Sequence, residues 1–192
     1  EAPAGPPAAA WPRVVRLHEI AADPPSIHRL ALGVTVDDSG QQAPVTAALS
    51  EMVHIAVGGS SGWGKSVFLK ALALQLATAA EPVQLAMVDL EGVTLSGFAT
   101  CSRLLWPIAE TESQALTIMA LLVEEMNRRS LLFHEYPGVD SLAAYNARAG
   151  DEPLTPVVAL IDEATALLSD RGVQNATRTL VLRARKYGLW MV

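Results

Sequence analysis

Gly59-Ser60-Ser61-Gly62-Trp63-Gly64-Lys65-Ser66 is the stretch on which the reading of this chain turns. It fits G-x-x-x-x-G-K-[ST] at every fixed position. A loop that wraps a polyphosphate must turn sharply and aim successive backbone N–H groups at one point, which favours glycine at several places. A helix opening near Gly64 adds unpaired N–H groups and the positive end of its dipole. Lys65 then reaches the β- and γ-phosphates as a point charge, and the Ser66 hydroxyl is placed for Mg²⁺. The stretch is read as a nucleotide cradle, with ATP and Mg²⁺ as the ligands. Trp63 stands out among the small residues; it either covers packing surface at the rim of the loop or stacks on a base.

The flanks supply the context such a loop needs. Met52–Val57 (MVHIAV) is an apolar run of strand length closed by Gly58-Gly59, and Val67–Ala80 (VFLKALALQLATAA) is a strong helix former. About 95 residues downstream, room enough for several βα units, Val157-Val158-Ala159-Leu160-Ile161 runs into Asp162-Glu163. On a central strand the first acid emerges at the carboxyl edge of the sheet, beside the loop, where open α/β sheets bind ligands. Asp162 is assigned to Mg²⁺, directly or through water. Glu163 is placed to orient or deprotonate an attacking water, with Lys65 as the other catalytic group.

Outward from these two motifs the chain alternates. Val83–Asp89 reads as a strand. Thr111 and Gln114 form a T-x-x-Q capping box ahead of a long helix, whose apolar positions Ala115, Ile118, Met119, Leu122, Val123 and Met126 recur at helical spacing. Ser141–Ala149 reads as a short helix, Val173–Lys186 as a helix and Leu189–Val192 as the start of another strand. Strands alternating with helices predict right-handed βαβ units, so the fold class is α/β: a P-loop nucleotide-binding core, mainly parallel sheet with helices on both faces. Before it, the strand-like pieces VVRLHEI, HRLALGVTV and APVTAAL, punctuated by Asp23-Pro24-Pro25 and Asp38-Ser39-Gly40, predict a short β-rich lead-in. The expected division is a Pro/Ala-rich linker or tail over 1–12, the lead-in over 13–50 and the core over 51–192.

Composition narrows the partners. The formal net charge is −6, with 18% charged and 51% apolar residues. A protein that wraps nucleic acid unaided usually shows a basic balance or stripe. The densest basic stretch, Arg178–Lys186, is read first as the solvated end of a helix. Cys101 is the single cysteine, which rules out an internal disulfide and a cysteine-rich zinc site and suits a reduced cytoplasmic compartment. No apolar run approaches the roughly 18 residues that span a bilayer.

Gly58-Gly59-Ser60-Ser61-Gly62 also matches G-x-S-x-G, the nucleophile elbow of α/β-hydrolases, and Ser60, Asp89 and His134 fall in the required order. That reading leaves Gly64-Lys65-Ser66 and the acidic pair unexplained. It also puts His134 at the end of a long amphipathic helix instead of a late loop.

The chain resembles the FtsK/SpoIIIE-like motor ATPases, relatives of HerA, from about Leu32 to Val192, and the resemblance implies a RecA-like P-loop NTPase core. Leu32-Gly33, Asp38-Ser39-Gly40, Met52 and His54 resemble the family's entry segment with its M-x-H. Val88–Ser96 resembles its D-P-K-x-x-E-L stretch, Glu124–Arg129 its E-E-M-x-R-R helix, Tyr145-Asn146 its Y-N pair, and Ala184–Leu189 its helix-to-strand G-R-A-x-G-I-H segment. The resemblance implies a homo-oligomeric, usually hexameric, ring that uses ATP to pull double-stranded DNA, in chromosome partition or conjugative transfer. It leaves room for a membrane anchor outside these residues. A type VII-like protein-secretion motor and a nucleotide-gated assembly module with little hydrolysis are the alternatives. Two departures stand out: Asp89-Leu90-Glu91 replaces Asp-Pro-Lys, and the γ-phosphate-sensing Thr-Gln strand is expected beyond Val192, which makes the core C-terminally incomplete.

Overall fold

The computed structural model describes residue 12, residues 14–150 and residues 152–192. Residues 1–11 of the expected tail lie outside that set.

Three strands form a parallel sheet in the order β3 (Gln84–Val88), β4 (Val157–Ile161), β5 (Leu189–Met191). The register pairs Leu85 with Val158 and Val158 with Trp190. Successive side chains of a strand point to opposite faces, and here both faces are buried. Ala86, Val88, Val157, Ala159, Leu189 and Met191 enter one apolar cluster. Leu85, Met87, Val158, Leu160 and Trp190 enter a second. This is why the strands read as continuous apolar runs with no alternation.

The first cluster is closed by α3 (Glu112–His134) and α6 (Arg171–Arg183), with Tyr145 from the short α4 (Leu142–Asn146). Helix α3 opens on the capping box read from the sequence: Thr111 Oγ1 accepts from the Gln114 N–H, and Gln114 Oε1 accepts from the Thr111 N–H at 3.1 Å. The second cluster is closed by α2 (Lys65–Thr78) through Leu69, Leu72, Ala73 and Leu76.

The lead-in is an antiparallel pair, β1 (Leu30–Val36) with β2 (Gln42–Ala47), forming its own sheet. Its Leu30, with Ile27 and Leu49, packs into the α2 cluster. The junction is polar at one point. The buried amide of Gln75 accepts from the Ala31 N–H at 2.7 Å and donates to the Ala31 carbonyl at 3.0 Å. Register shifts at this place, between Ala31 and Gly33, so a side chain satisfies a backbone residue that the ladder alone would strand.

Two local expectations change. VVRLHEI is not a strand: Leu17–Ile20 form a single helical turn, α1. Met52–Val57 carries no regular strand either, although Ile55 N–H donates to the Met191 carbonyl at 2.9 Å, alongside β5. The place of a second backbone partner is taken by the His54 imidazole, whose Nδ1 accepts from the Met191 N–H at 3.1 Å. Among the described residues, no helix is long and apolar enough to cross a membrane.

Candidate functional site: the glycine-rich loop and the end of strand β4

Helix α2 begins at Lys65 with Gly64 as its N-cap, at φ 87°, and no side chain caps it or places an acid in its first turn. Gly62 precedes it at φ 79°. A Cβ at either glycine would meet nothing within 4 Å. Backbone conformation, not crowding, is therefore what demands glycine at 62 and 64. Two left-handed residues around Trp63 turn the loop back on itself and leave the first-turn N–H groups of α2 open to an anion.

The loop is closed by its own lysine. Lys65 Nζ donates to the carbonyl oxygens of Gly59, at 2.9 Å, and Ser60, at 3.3 Å. Gly59 also packs near Trp63, whose Cβ lies 3.6 Å from the position a Cβ at Gly59 would take. The Trp63 ring covers little else: the residue is 80% exposed, and Val67, one helical turn on, is 70% exposed. Beside Gly59 at the rim of the loop, the ring otherwise stands open. Ser60 and Ser61 are exposed on the same loop.

Asp162 lies one residue past the end of β4, where its N–H extends the ladder to the Val88 carbonyl at 3.0 Å. That placement brings its carboxylate to the loop: Ser66 Oγ donates to Asp162 Oδ2 at 3.4 Å across a separation of 96 residues. Glu163 follows at φ 55°, the one positive-φ residue other than glycine among those described. Its N–H donates to Asp162 Oδ1 at 3.1 Å, and its Oε1 accepts from Thr165 Oγ1 at 2.7 Å. Left-handed backbone at a bulky residue is costly and persists where the surroundings hold it, here the hydrogen bonds to Asp162 and Thr165. Lys65, Asp162 and Glu163 line one cleft of about 440 Å³, together with Ile55, Val57, Leu69, Ile161, Val173 and Met191.

The donor set fits Mg²⁺ bound together with a nucleotide. A hydroxyl and a carboxylate converge from two elements, both hard oxygen donors. Among the described residues no group of three or more His, Cys, Asp or Glu side chains could hold a metal without help. That composition suits an ion whose remaining positions are filled by phosphate oxygens and water. The hydrolase arrangement is not assembled. Asp89 Oδ2 accepts from the Leu95 N–H at 2.7 Å and its Oδ1 from the Gly92 N–H, while His134 Nδ1 bonds the Ser130 carbonyl on its own helix.

Arg129 is a structural centre that periodicity could not show. It is 2% exposed on α3, and its Nη2 donates to the Thr155 carbonyl at 2.8 Å, its Nη1 to the Tyr187 carbonyl at 2.9 Å and its Nε to Glu125 Oε1 at 2.6 Å. It ties α3 to the residues that lead into β4 and β5.

The sequence profile of the FtsK/SpoIIIE family matches residues 26–183. The chain is similar to an uncharacterized FtsK-like protein of Nostoc sp., 31% identical over 162 residues, which cover 83% of this chain and 22% of that protein. It is similar to the DNA translocase FtsK of Caldanaerobacter subterraneus subsp. tengcongensis, 32% identical over 85% of this chain and 23% of that protein. It therefore spans less than a quarter of the length of these relatives. Among solved structures, ATPases 2 and 3 of EssC from Geobacillus thermodenitrificans superpose with a TM-score of 0.74 at 18% identity, over 85% of this chain and 32% of theirs. The monomer form of the pCW3 conjugation coupling protein TcpA, with ATPγS, superposes with a TM-score of 0.72 at 22% identity, over 97% of this chain and 51% of that one. At those identities the likeness is one of fold, the RecA-like P-loop ATPase domain.

Proposed function

The chain belongs to the FtsK/SpoIIIE family, and from that premise we propose that it is the nucleotide-binding core of a motor that couples ATP hydrolysis to movement of double-stranded DNA. The observation that carries the nucleotide half is the meeting of Ser66 and Asp162, 3.4 Å apart, with Asp162 lining a cleft that Lys65 and Glu163 share. The DNA half rests on relatives at about 30% identity that are named DNA translocases. The working form of the proposal is a hexameric ring on the cytoplasmic side, in chromosome partition or conjugative transfer. The division into a lead-in over 13–50 and a core over 51–192 belongs to the same proposal; the two sheets share no strand pairing.

The residues divide the work as follows. Main-chain N–H groups of Gly59–Ser66 bind the phosphates. Lys65 gives up the carbonyls of Gly59 and Ser60 and turns its ammonium to the β- and γ-phosphates, where charge develops in phosphoryl transfer. Ser66 and Asp162 hold Mg²⁺, which when bound neutralises phosphate charge. Glu163 orients the attacking water and takes its proton.

Two measurements test this. The 192-residue chain binds Mg·ATP, and Lys65→Ala or Asp162→Asn removes that binding. ATP turnover by the assembled protein should rise on addition of double-stranded DNA. Turnover stimulated only by a polypeptide would replace DNA with protein as the cargo, and nucleotide binding without turnover would make the domain a gated assembly module.

A further inference from the structure

The lead-in to the phosphate loop approaches β5 without becoming a strand. Ile55 N–H donates to the Met191 carbonyl at 2.9 Å. In a regular ladder the Met191 N–H would find a backbone carbonyl of the neighbouring segment. Here it finds His54 Nδ1 at 3.1 Å. Met191 is thus held at both of its backbone groups, once by the backbone of Ile55 and once by the side chain before it. A third bond anchors the start of the segment, from Trp190 Nε1 to the Met52 carbonyl at 3.0 Å.

This geometry fixes the chemistry of His54. A ring nitrogen that accepts must carry no proton, so Nε2 holds the hydrogen and the imidazole is neutral. Nε2 is enclosed and lacks a well-formed hydrogen bond. Burial pushes the His54 pKa below its ordinary value; the Val181 carbonyl on α6 opposes this and the positive charge of Arg185 adds to it. The other charged groups on the same cleft are Lys65 from α2 and Asp162 and Glu163 after β4.

We propose that His54 is a positioning residue for the phosphate loop: its neutral imidazole stands in for a strand carbonyl and holds Gly59–Ser66 in register with β5. Five residues of chain without regular structure separate His54 from Ser60, so a lead-in that slips against β5 carries the loop with it. Protonation of Nδ1 would turn an acceptor into a donor facing the Met191 N–H, and the two would repel. The loop then loses its anchor as the imidazole charges. This inference rests on the nucleotide reading of the loop for its functional consequence, but not for its structural core.

His54→Leu removes the acceptor, whereas His54→Asn offers an amide oxygen near the place of Nδ1. Mg·ATP affinity of the 192-residue chain should fall about tenfold in His54→Leu, the scale of one lost buried hydrogen bond, and be largely restored in His54→Asn. As pH is lowered from about 6.5 down through the depressed His54 value, the wild-type affinity should fall further than that of His54→Asn; the comparison cancels the titration of ATP itself. Amide hydrogen exchange at Met191, read without nucleotide, should speed up in His54→Leu and slow again in His54→Asn. Unchanged Met191 exchange and unchanged ATP affinity in a folded His54→Leu chain would overturn the proposal, as would equal pH profiles for wild type and His54→Asn. If His54→Leu does not fold, His54→Asn and the pH comparison decide. A wild-type chain that binds no Mg·ATP defeats the nucleotide reading, while Met191 exchange still judges His54.

Discussion

Arg129 Nη2 donates to the carbonyl oxygen of Thr155 at 2.8 Å, from the last third of α3 to the chain just before β4. The same guanidinium reaches the Tyr187 carbonyl and Glu125, so three separate parts of the chain meet on one side chain that is 2% exposed. Removing it takes the donor from the Thr155 and Tyr187 carbonyls and leaves Glu125 with Arg128 alone. Arg129→Met should therefore lower unfolding stability by about 1–3 kcal/mol, the usual cost of leaving buried acceptors unsatisfied. Chemical denaturation measures it. A loss below about 1 kcal/mol would fit a surface ion pair instead.

Glu125 makes the same network sensitive to acid. Burial acts to raise its pKa, but hydrogen bonds from Arg128 and Arg129 and their positive charges outweigh it and hold the carboxyl below its ordinary value. The folded state therefore binds this proton less readily than the unfolded chain. Its contribution is in full force above the unfolded pKa near 4.5 and is lost as pH falls through the lower folded value. Melting temperatures taken down through that range should fall less steeply in Glu125→Gln than in the wild type. Parallel slopes would show that Glu125 titrates alike in both states.

Much of this was legible in the chain because local rules carry it. The positive φ at Gly62 and Gly64, the cap at Thr111 and the exit of Asp162 from an apolar strand each depend on residues close in sequence. What escaped depends on residues far apart. Arg129 lies in a stretch read as a charged helix segment, and only the return of the chain at Thr155 and Tyr187 shows that it is buried. Gln75 reads as one polar residue in an apolar helix until the bulge at Ala31 arrives to use it. Met52–Val57 has the composition of a strand, and it is His54, a side chain, that takes up the pairing a strand would make.

Trp63 offers a cleaner test because so little of it is packed. At 80% exposure, Trp63→Ala should change stability by no more than about 0.5 kcal/mol. Its indole emission in the free protein should resemble that of a solvated tryptophan and be open to acrylamide. If the ring stacks on a base, Trp63→Ala weakens ATP binding and leaves tripolyphosphate binding alone, since only ATP carries a π-face. Equal losses for both would assign Trp63 to the shape of the loop.

Glu163 carries the chemical part of the proposal, and its geometry makes the substitution informative. Thr165 Oγ1 donates to Oε1 at 2.7 Å, and the backbone N–H of Glu163 is held by Asp162, so glutamine can keep the Thr165 bond through its carbonyl oxygen while losing the ability to take a proton. Glu163→Gln should bind Mg·ATP as the wild type does and slow turnover by about 10²–10⁴-fold, the usual worth of a positioned general base. The assay needs the assembled natural protein. The cleft of about 440 Å³ presents Lys65 as its cation, whereas phosphoryl transfer gains about 10³–10⁵ from an added arginine, which a neighbouring subunit can supply. Dilute monomer of the 192-residue chain should accordingly hydrolyse ATP slowly or not at all. Brisk turnover in the monomer would mean that these residues complete the site unaided, and turnover that survives Glu163→Gln would move the base elsewhere.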